Sequence, residues 1–131
     1  MANDGLSAEA ASRVSKARIG WLTTLRPDGS PHTTPVWFVF DEKSIWIATG
    51  HRNVKVANVR SDPRVSIAID GSAAAPLVAE GNAELMDVAA TDRGVVAAFA
   101  EKYDGWDIGD ESVDGARVVV RVIVSRWLLA G

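Results

Sequence analysis

Residues 51–65 gather Arg52, Lys55, Arg60 and Arg64 into one short segment of a chain whose net charge is −3. Arg52, Lys55 and Asn58 recur three apart, the spacing of one helix face, while Val56 and Val59 share another. Asp62-Pro63 marks the end, because the residue before proline avoids the helical region. The spacing predicts a helix over 52–61. A helix N-terminus offers free N–H donors and partial positive charge, so it holds phosphate well. Thr49 and Gly50 just before it add a hydroxyl and a flexible backbone, and Arg52 and Lys55 can close over an anion with charge-assisted hydrogen bonds. The pattern suits the phosphate of a cofactor. A surface helix whose cations are merely solvated has the same pattern, and the residues leave the two readings level.

Other side-chain catalysts are scarce. The two histidines, His32 and His51, are separated and make a poor metal site, so no metal is expected. The absence of cysteine excludes disulfides, thiolate zinc sites and cysteine nucleophiles, and it is compatible with a reducing cytosol. Glu80 and Glu84 fall on one side of a strand, as a catalytic pair would, but a solvated strand face is the commoner cause of that spacing. Neither a Gly-x-Ser-x-Gly elbow nor a Walker loop is present. Hydrolysis and acyl transfer find little support, so the chemistry falls to a bound cofactor.

Two further features carry alternatives. Pro35 sits within an apolar strand but has no N–H to donate, which implies an edge, a bulge or an exposed backbone. Such a backbone receives a flat heterocycle, or simply guards an edge against aggregation. Trp21, Trp37 and Trp46 lie in predicted strands, where core packing or a subunit interface is the default role. Trp106, in a loop beside Asp104 and Asp107, either approaches a ligand or anchors that loop to the core.

The elements that must position these groups are mostly short strands. Ser7 caps a helix running to about Ala17, with Glu9 in its first turn. Over 18–26, Ile19, Trp21, Thr23 and Leu25 alternate with Gly20, Thr24 and Arg26, broken only by Leu22. Pro27 presets φ and Gly29 is free to take φ > 0, so 26–30 is a turn leading to a hairpin partner over 33–40. Residues 36–40 and 45–49 are apolar enough to be covered on both faces. Val65, Ile67 and Ile69 alternate over 64–70; 71–76 reads as a loop; 77–86 places Glu80, Asn82 and Glu84 on a polar face. A helix over 88–103 turns Val95, Val96, Phe99 and Tyr103 inward, and an acidic loop follows over 104–115. The final strand, 117–124, has alternate valines inward and Arg117 and Arg121 outward.

Six short strands with few helices predict a mainly β fold, a small antiparallel barrel in one domain spanning 1–131. The 131 residues are 47% hydrophobic and 24% charged, an ordinary globular composition. The negative net charge argues against a general nucleic-acid binder. No apolar run approaches the ~18 residues of a membrane span and the N-terminus lacks a secretory pattern, so a cytoplasmic protein without a membrane partner is expected.

Three motifs in order, Thr24-Leu-Arg-Pro-Asp-Gly-Ser-Pro31, Pro35-Val-Trp-Phe38 and Lys55-x-x-Asn58-x-x-x-Asp62-Pro-Arg-Val65, resemble the pyridoxamine 5′-phosphate oxidase-like split-barrel family. The third is the most specific. Within that family the chain is most similar to the flavin/deazaflavin oxidoreductases of actinobacteria, the branch that uses coenzyme F420. The resemblance implies a six-stranded antiparallel split β-barrel of the FMN-binding type, a homodimer with two cofactor sites at its interface. It implies that Lys55 holds the cofactor phosphate with Arg52 nearby, and that Thr49 and Gly50 line the phosphate and ribityl part. Thr34, Pro35, Val36 and Trp37 would run beside the tricyclic ring, and Arg60 would meet an acidic tail. Asn58 and Asp62-Pro63 would shape the helix. The arginines that true pyridoxamine phosphate oxidases carry on the strand at 33–37 and near the C-terminus have no counterpart here, which argues against vitamin B6 oxidation. The expectation is an F420-dependent reductase giving a hydride to a conjugated, electron-poor small molecule. An FMN-binding oxidoreductase and a non-catalytic F420 or FMN carrier are the alternatives.

Overall fold

A tight turn starts the sheet. Gly29 takes φ 85°, and the Asp28 carboxylate accepts from the Ser30 N–H at 2.9 Å and from its hydroxyl at 2.6 Å. Strand β1 (Gly20–Leu25) therefore returns antiparallel as β2 (Pro31–Val36). The structure, a computed structural model, describes residues 6–41, 43–72 and 75–129. Ahead of β1 lies α1 (Ala8–Lys16), its N–H of Ala10 capped by the Ser7 hydroxyl at 3.0 Å. After β2 come β3 (Phe38–Phe40), β4 (Ser44–Gly50), α2 (Val54–Ser61), β5 (Arg64–Ser72), β6 (Ala75–Asp87), α3 (Arg93–Lys102) and β7 (Arg117–Leu129).

Among the described residues the strands form one antiparallel sheet in the order β2-β1-β5-β6-β7-β4-β3. Its two edges, β2 and β3, are consecutive in the chain with only Trp37 between them. The sheet must curl until its edges meet at that residue, which gives the mainly β, split half-barrel. Seven strands stand where six were expected. The apolar run 36–40 reads as one strand, yet β2 pairs with β1 and β3 with β4, so the chain changes partners at Trp37. Trp37 is 42% exposed, so this run is not covered on both faces. Residues 44–48 are buried throughout.

The core lies in two clusters. Inside the curl, Leu22, Phe38, Ile45, Ile47, Ile67 and Leu77 are closed off with Val14 of α1 and Val59 of α2. Each such side chain contributes about 1.5–3 kcal/mol by leaving water. Outside it, Phe99 of α3 and Tyr103 at its C-cap pack with Ile108 on Val39, Trp46 and Val119. Strands β4 and β7 thus bury both faces where α3 covers them. In β1 the buried face is Gly20, Leu22 and Thr24, leaving Ile19 and Trp21 exposed, the reverse of the apolar alternation. The cause is polar as well as apolar: Thr24 is fully buried and accepts from Asn58 Nδ2 at 3.0 Å. Asn58 accordingly faces inward from α2 rather than sharing a solvent face with Arg52.

Three boundaries also differ. Strands β6 and β7 each run to thirteen residues, with a bulge at Glu80/Gly81 that long strands need to keep curling. Strands β5 and β6 take up part of the expected 71–76 loop; residues 73 and 74 of that loop, and residue 42 between β3 and β4, lie outside the described set. The helix expected over 88–103 breaks into a 3-10 turn (Val88–Ala90) and α3, where Asp92 accepts from the Gly94 N–H at 2.6 Å.

The partner change at Trp37 is pinned by α3. The Phe38 N–H donates to the Tyr103 hydroxyl at 2.9 Å, and Lys102 Nζ donates to the Phe38 carbonyl at 2.9 Å. Replacing Tyr103 with phenylalanine keeps the ring but leaves a buried N–H without its acceptor. The expected loss is about 1–3 kcal/mol, read by urea unfolding. Burial, and then Arg18, push the Lys102 ammonium down to about 8 from an ordinary 10.5. Its folded value lies below its unfolded one, so the unfolded chain binds the extra proton between those limits and stability rises with pH there. Urea midpoints at about pH 7.5 and about pH 9.5 should show the wild type gaining on Lys102→Met across that interval.

Candidate functional site

Where the curled sheet meets itself, it does not seal. A cleft of about 760 Å3 opens between the β2–β3 break, β4, the start of α2 and the loop 104–115. Pro35, Val36 and Trp37 form one wall, Ala48 and Thr49 line it from β4, and Asn53 and Lys55 enter from α2.

The α2 corner has the character of an anion site. Asn53 occupies the cap position but makes no capping bond; its Nδ2 donates instead to Thr49 Oγ1 at 2.7 Å. The first-turn N–H groups therefore keep no side-chain acceptor, and no acidic residue stands in that turn. Lys55 is half-buried, and burial pushes its ammonium below the ordinary lysine value. Among the described residues no carboxylate or carbonyl pairs with its Nζ. A desolvated, unpaired cation at an uncapped helix start is stabilised by an arriving anion.

The opposite corner is aromatic. Trp37 stacks on Tyr103 with centroids 4.6 Å apart and planes 7° apart, and Trp106 meets Trp37 edge-on at 5.1 Å. Trp37 keeps enough exposed surface to offer a flat platform toward the cleft. This arrangement suits a planar ring with an anionic arm.

The residues singled out by sequence divide accordingly. Pro35, Val36, Trp37, Thr49 and Lys55 come together on the cleft. Gly50 follows Thr49 at the end of β4 but is not on the lining. Thr34 lies opposite Leu22 on the core face, its Oγ1 buried without a hydrogen-bond partner among the described residues. Arg52 and Arg60 are exposed and off the lining. The helix begins at Val54 rather than 52, which leaves Arg52 in the preceding turn. Arg64 is committed to Asp62 through bonds of 3.0 and 2.7 Å, which hold that carboxyl down to about 2. Glu80 and Glu84 pair across strands with Arg126 and Arg121. Neither is a free acid.

Sequence reasoning missed Arg117. Expected to point outward, its side chain is only 6% exposed and lines the cleft, holding the acidic loop. The available signal was an arginine closely following a loop that carries five acids, Asp104 to Asp114. What it binds is largely backbone carbonyl, which no residue type announces.

The pyridoxamine 5′-phosphate oxidase family model matches residues 6–130. The chain belongs to that family. This pyridoxamine 5′-phosphate oxidase family member is 32% identical over 126 residues to an F420H(2)-dependent biliverdin reductase of Mycobacterium tuberculosis (strain CDC 1551 / Oshkosh), covering 94% of this chain and 87% of that protein. Among solved structures it is similar to an F420 reductase, with TM-score 0.73 and 21% identity over 94% of this chain and 98% of that one. It is also similar to HutZ, the heme storage protein of Vibrio cholerae, with TM-score 0.78 and 18% identity over 96% and 95% of the two chains. At these identities the structural likenesses establish the fold, which alone does not choose a ligand. No helix among the described residues of this family member is long and apolar enough to cross a membrane.

Proposed function

We propose that this protein is an F420-dependent reductase acting on a conjugated, electron-poor small molecule. The observation that carries the reading is Lys55: a half-buried cation without a partner among the described residues, at an uncapped helix start, across a cleft from an open tryptophan face. The 32% identity to an F420H(2)-dependent enzyme supports the choice of cofactor.

In this reading Lys55, Thr49 and the first-turn N–H groups of α2 hold the phosphate. Trp37 and Pro35 flank the ring and keep water from it. Arg52, exposed just ahead of the helix, and Arg60, about 7–8 Å along it from Lys55, meet the acidic tail outside the cleft. When bound, reduced F420 would supply the hydride for reduction of the acceptor, with the proton coming from water. The protein contributes position, charge and exclusion of solvent.

The same reading takes the protein as a cytoplasmic homodimer. Ile19 and Trp21, both exposed, lie on β1 and just before it, and Ile19 reaches the cleft rim. A second copy covering them would bury apolar surface and complete the site.

Fluorescence titration with F420 and, separately, FMN tests the cofactor. Binding of F420 with a Kd of about 10 µM or below, and tighter than FMN, is expected. Absence of F420 binding overturns the proposal, and tighter FMN binding replaces it with a flavin enzyme of the same fold.

A further inference from the structure

The loop 104–115 is built around one buried cation. We infer that Arg117 is a positioning residue which, through this loop, makes the cleft select flat acceptors without negative charge. The inference rests on the reading of the cleft as a redox site.

The Arg117 guanidinium donates to the carbonyls of Ile108 at 3.2 Å and Asp110 at 2.7 Å, and it pairs with the Asp114 carboxylate. It also lies 5.1 Å over the Trp106 ring. Ile108, fully buried, fixes the middle of the loop in the outer core. Arg117 holds the Trp106 indole from one side, while Phe99 and Tyr103 meet it edge-on and the Tyr103 carbonyl accepts its backbone N–H at 3.2 Å. From Ile108 onward the loop has no strand or helix of its own and depends on the guanidinium. A guanidinium fork that binds two carbonyls and a carboxylate fixes a loop in a way a lysine cannot.

The wall so formed is acidic. Asp114 matches the single charge of Arg117, while Asp107 and Asp110 also line the cleft. Their Oδ1 atoms accept from the N–H groups of Gly109 and Ser112, both at 2.9 Å, and among the described residues neither forms a salt bridge. The hydrogen bonds from Ser112 hold the Asp110 carboxyl below the usual carboxylate range, so it is ionised at neutral pH. The cleft is thus electrically two-sided. Among the described residues its cation without a salt bridge is Lys55, at the α2 corner, where the cofactor phosphate would take it up. An acceptor on the loop side meets the exposed carboxylates of Asp107 and Asp110, the latter only partly offset by the nearby Arg117 charge, and contact within the cleft lies inside a Debye length. Discrimination of this kind comes from repulsion of the wrong ligand.

The test pairs 1,2-naphthoquinone with its 4-sulfonate, using the full chain. Each quinone gains a hydride from reduced F420 and a proton from water to become the hydroquinone. The Asp107→Asn/Asp110→Asn double variant should shift the ratio of the two kcat/KM values toward the sulfonate by about tenfold, a larger change than any in F420 affinity. Comparing the ratio between proteins removes the quinones' intrinsic reactivities. Arg117→Met should speed amide exchange across 104–115 by about tenfold and raise KM for the uncharged quinone more than it lowers kcat. Arg117→Lys should restore little of either. An unmoved ratio in the double variant, or unchanged loop exchange in Arg117→Met, overturns the inference. Should the wild type bind no F420, the cofactor reading fails on its own. Loop exchange, and calorimetric binding of the two quinones, still decide for or against this role.

Discussion

Replacing Lys55 with alanine weakens F420 binding by about ten- to a hundredfold and leaves the fold no less stable. A charge-assisted contact to phosphate contributes about 1.5–3 kcal/mol, and about 1.4 kcal/mol corresponds to each tenfold. The effect on stability has the opposite sign. Burial holds the Lys55 ammonium below the ordinary lysine value, so its folded pKa is lower than its unfolded one. The charged side chain therefore opposes folding at neutral pH, and the penalty fades as pH climbs past the lowered value. Alanine removes it. Few variants separate binding from stability so cleanly: affinity falls while the urea midpoint holds or rises. Arg52→Ala is the contrast. Its side chain is exposed and off the cleft, and a screened charge of that kind changes affinity by about twofold. Equal losses from the two variants, or none from Lys55→Ala, would remove the phosphate site from α2.

The largest loss of stability is expected from Gly81→Ala. The bulge at Glu80/Gly81 brings β7 so close that an added Cβ would sit 2.1 Å from the Ile123 carbonyl oxygen and 2.9 Å from its carbon. These are backbone atoms and cannot swing aside as a side-chain tip would. Overpacking ordinarily costs about 1–3 kcal/mol, and a clash with backbone in the pairing of the two longest strands belongs above that range. The variant should be recovered mainly in the insoluble fraction, or unfold at markedly lower urea. Gly29→Ala gives the comparison. No atom lies within 4 Å of its Cβ, so the loss is confined to the strain of φ 85°, about 1 kcal/mol. A Gly81→Ala protein as stable as Gly29→Ala would mean that the bulge can relax.

Local chemistry was legible in the sequence. The turn at Gly29, the Ser7 cap, the alternation of Val65, Ile67 and Ile69, and the stop of α2 at Asp62 all follow from one residue and its neighbours. What distant contacts decide was not. The run 36–40 offers no sign of changing partners at Trp37, because the hydroxyl that accepts the Phe38 N–H belongs to Tyr103 on another element. Strand β1 buries Leu22 and Thr24 rather than Trp21 because Asn58 of α2 reaches Thr24. At the cleft the same division holds. Lys55 was legible from helical spacing and Trp37 from its proline-bearing strand. Arg60 and Arg64 share Lys55's segment without sharing its surroundings, and Arg117 acts through carbonyls that only the folded loop brings together.

The placement of β7 between β6 and β4 bears on biosynthesis. Strand β4 is buried from residue 44 to residue 48, yet its long partner is synthesised only after α2, β5, β6 and α3. Until then the nascent polypeptide carries an apolar ribbon with one side unpaired, the condition that invites misassembly. Such a topology predicts dependence on a chaperone during translation, and a ribosome stalled before residue 117 should display a protease-sensitive, chaperone-bound intermediate.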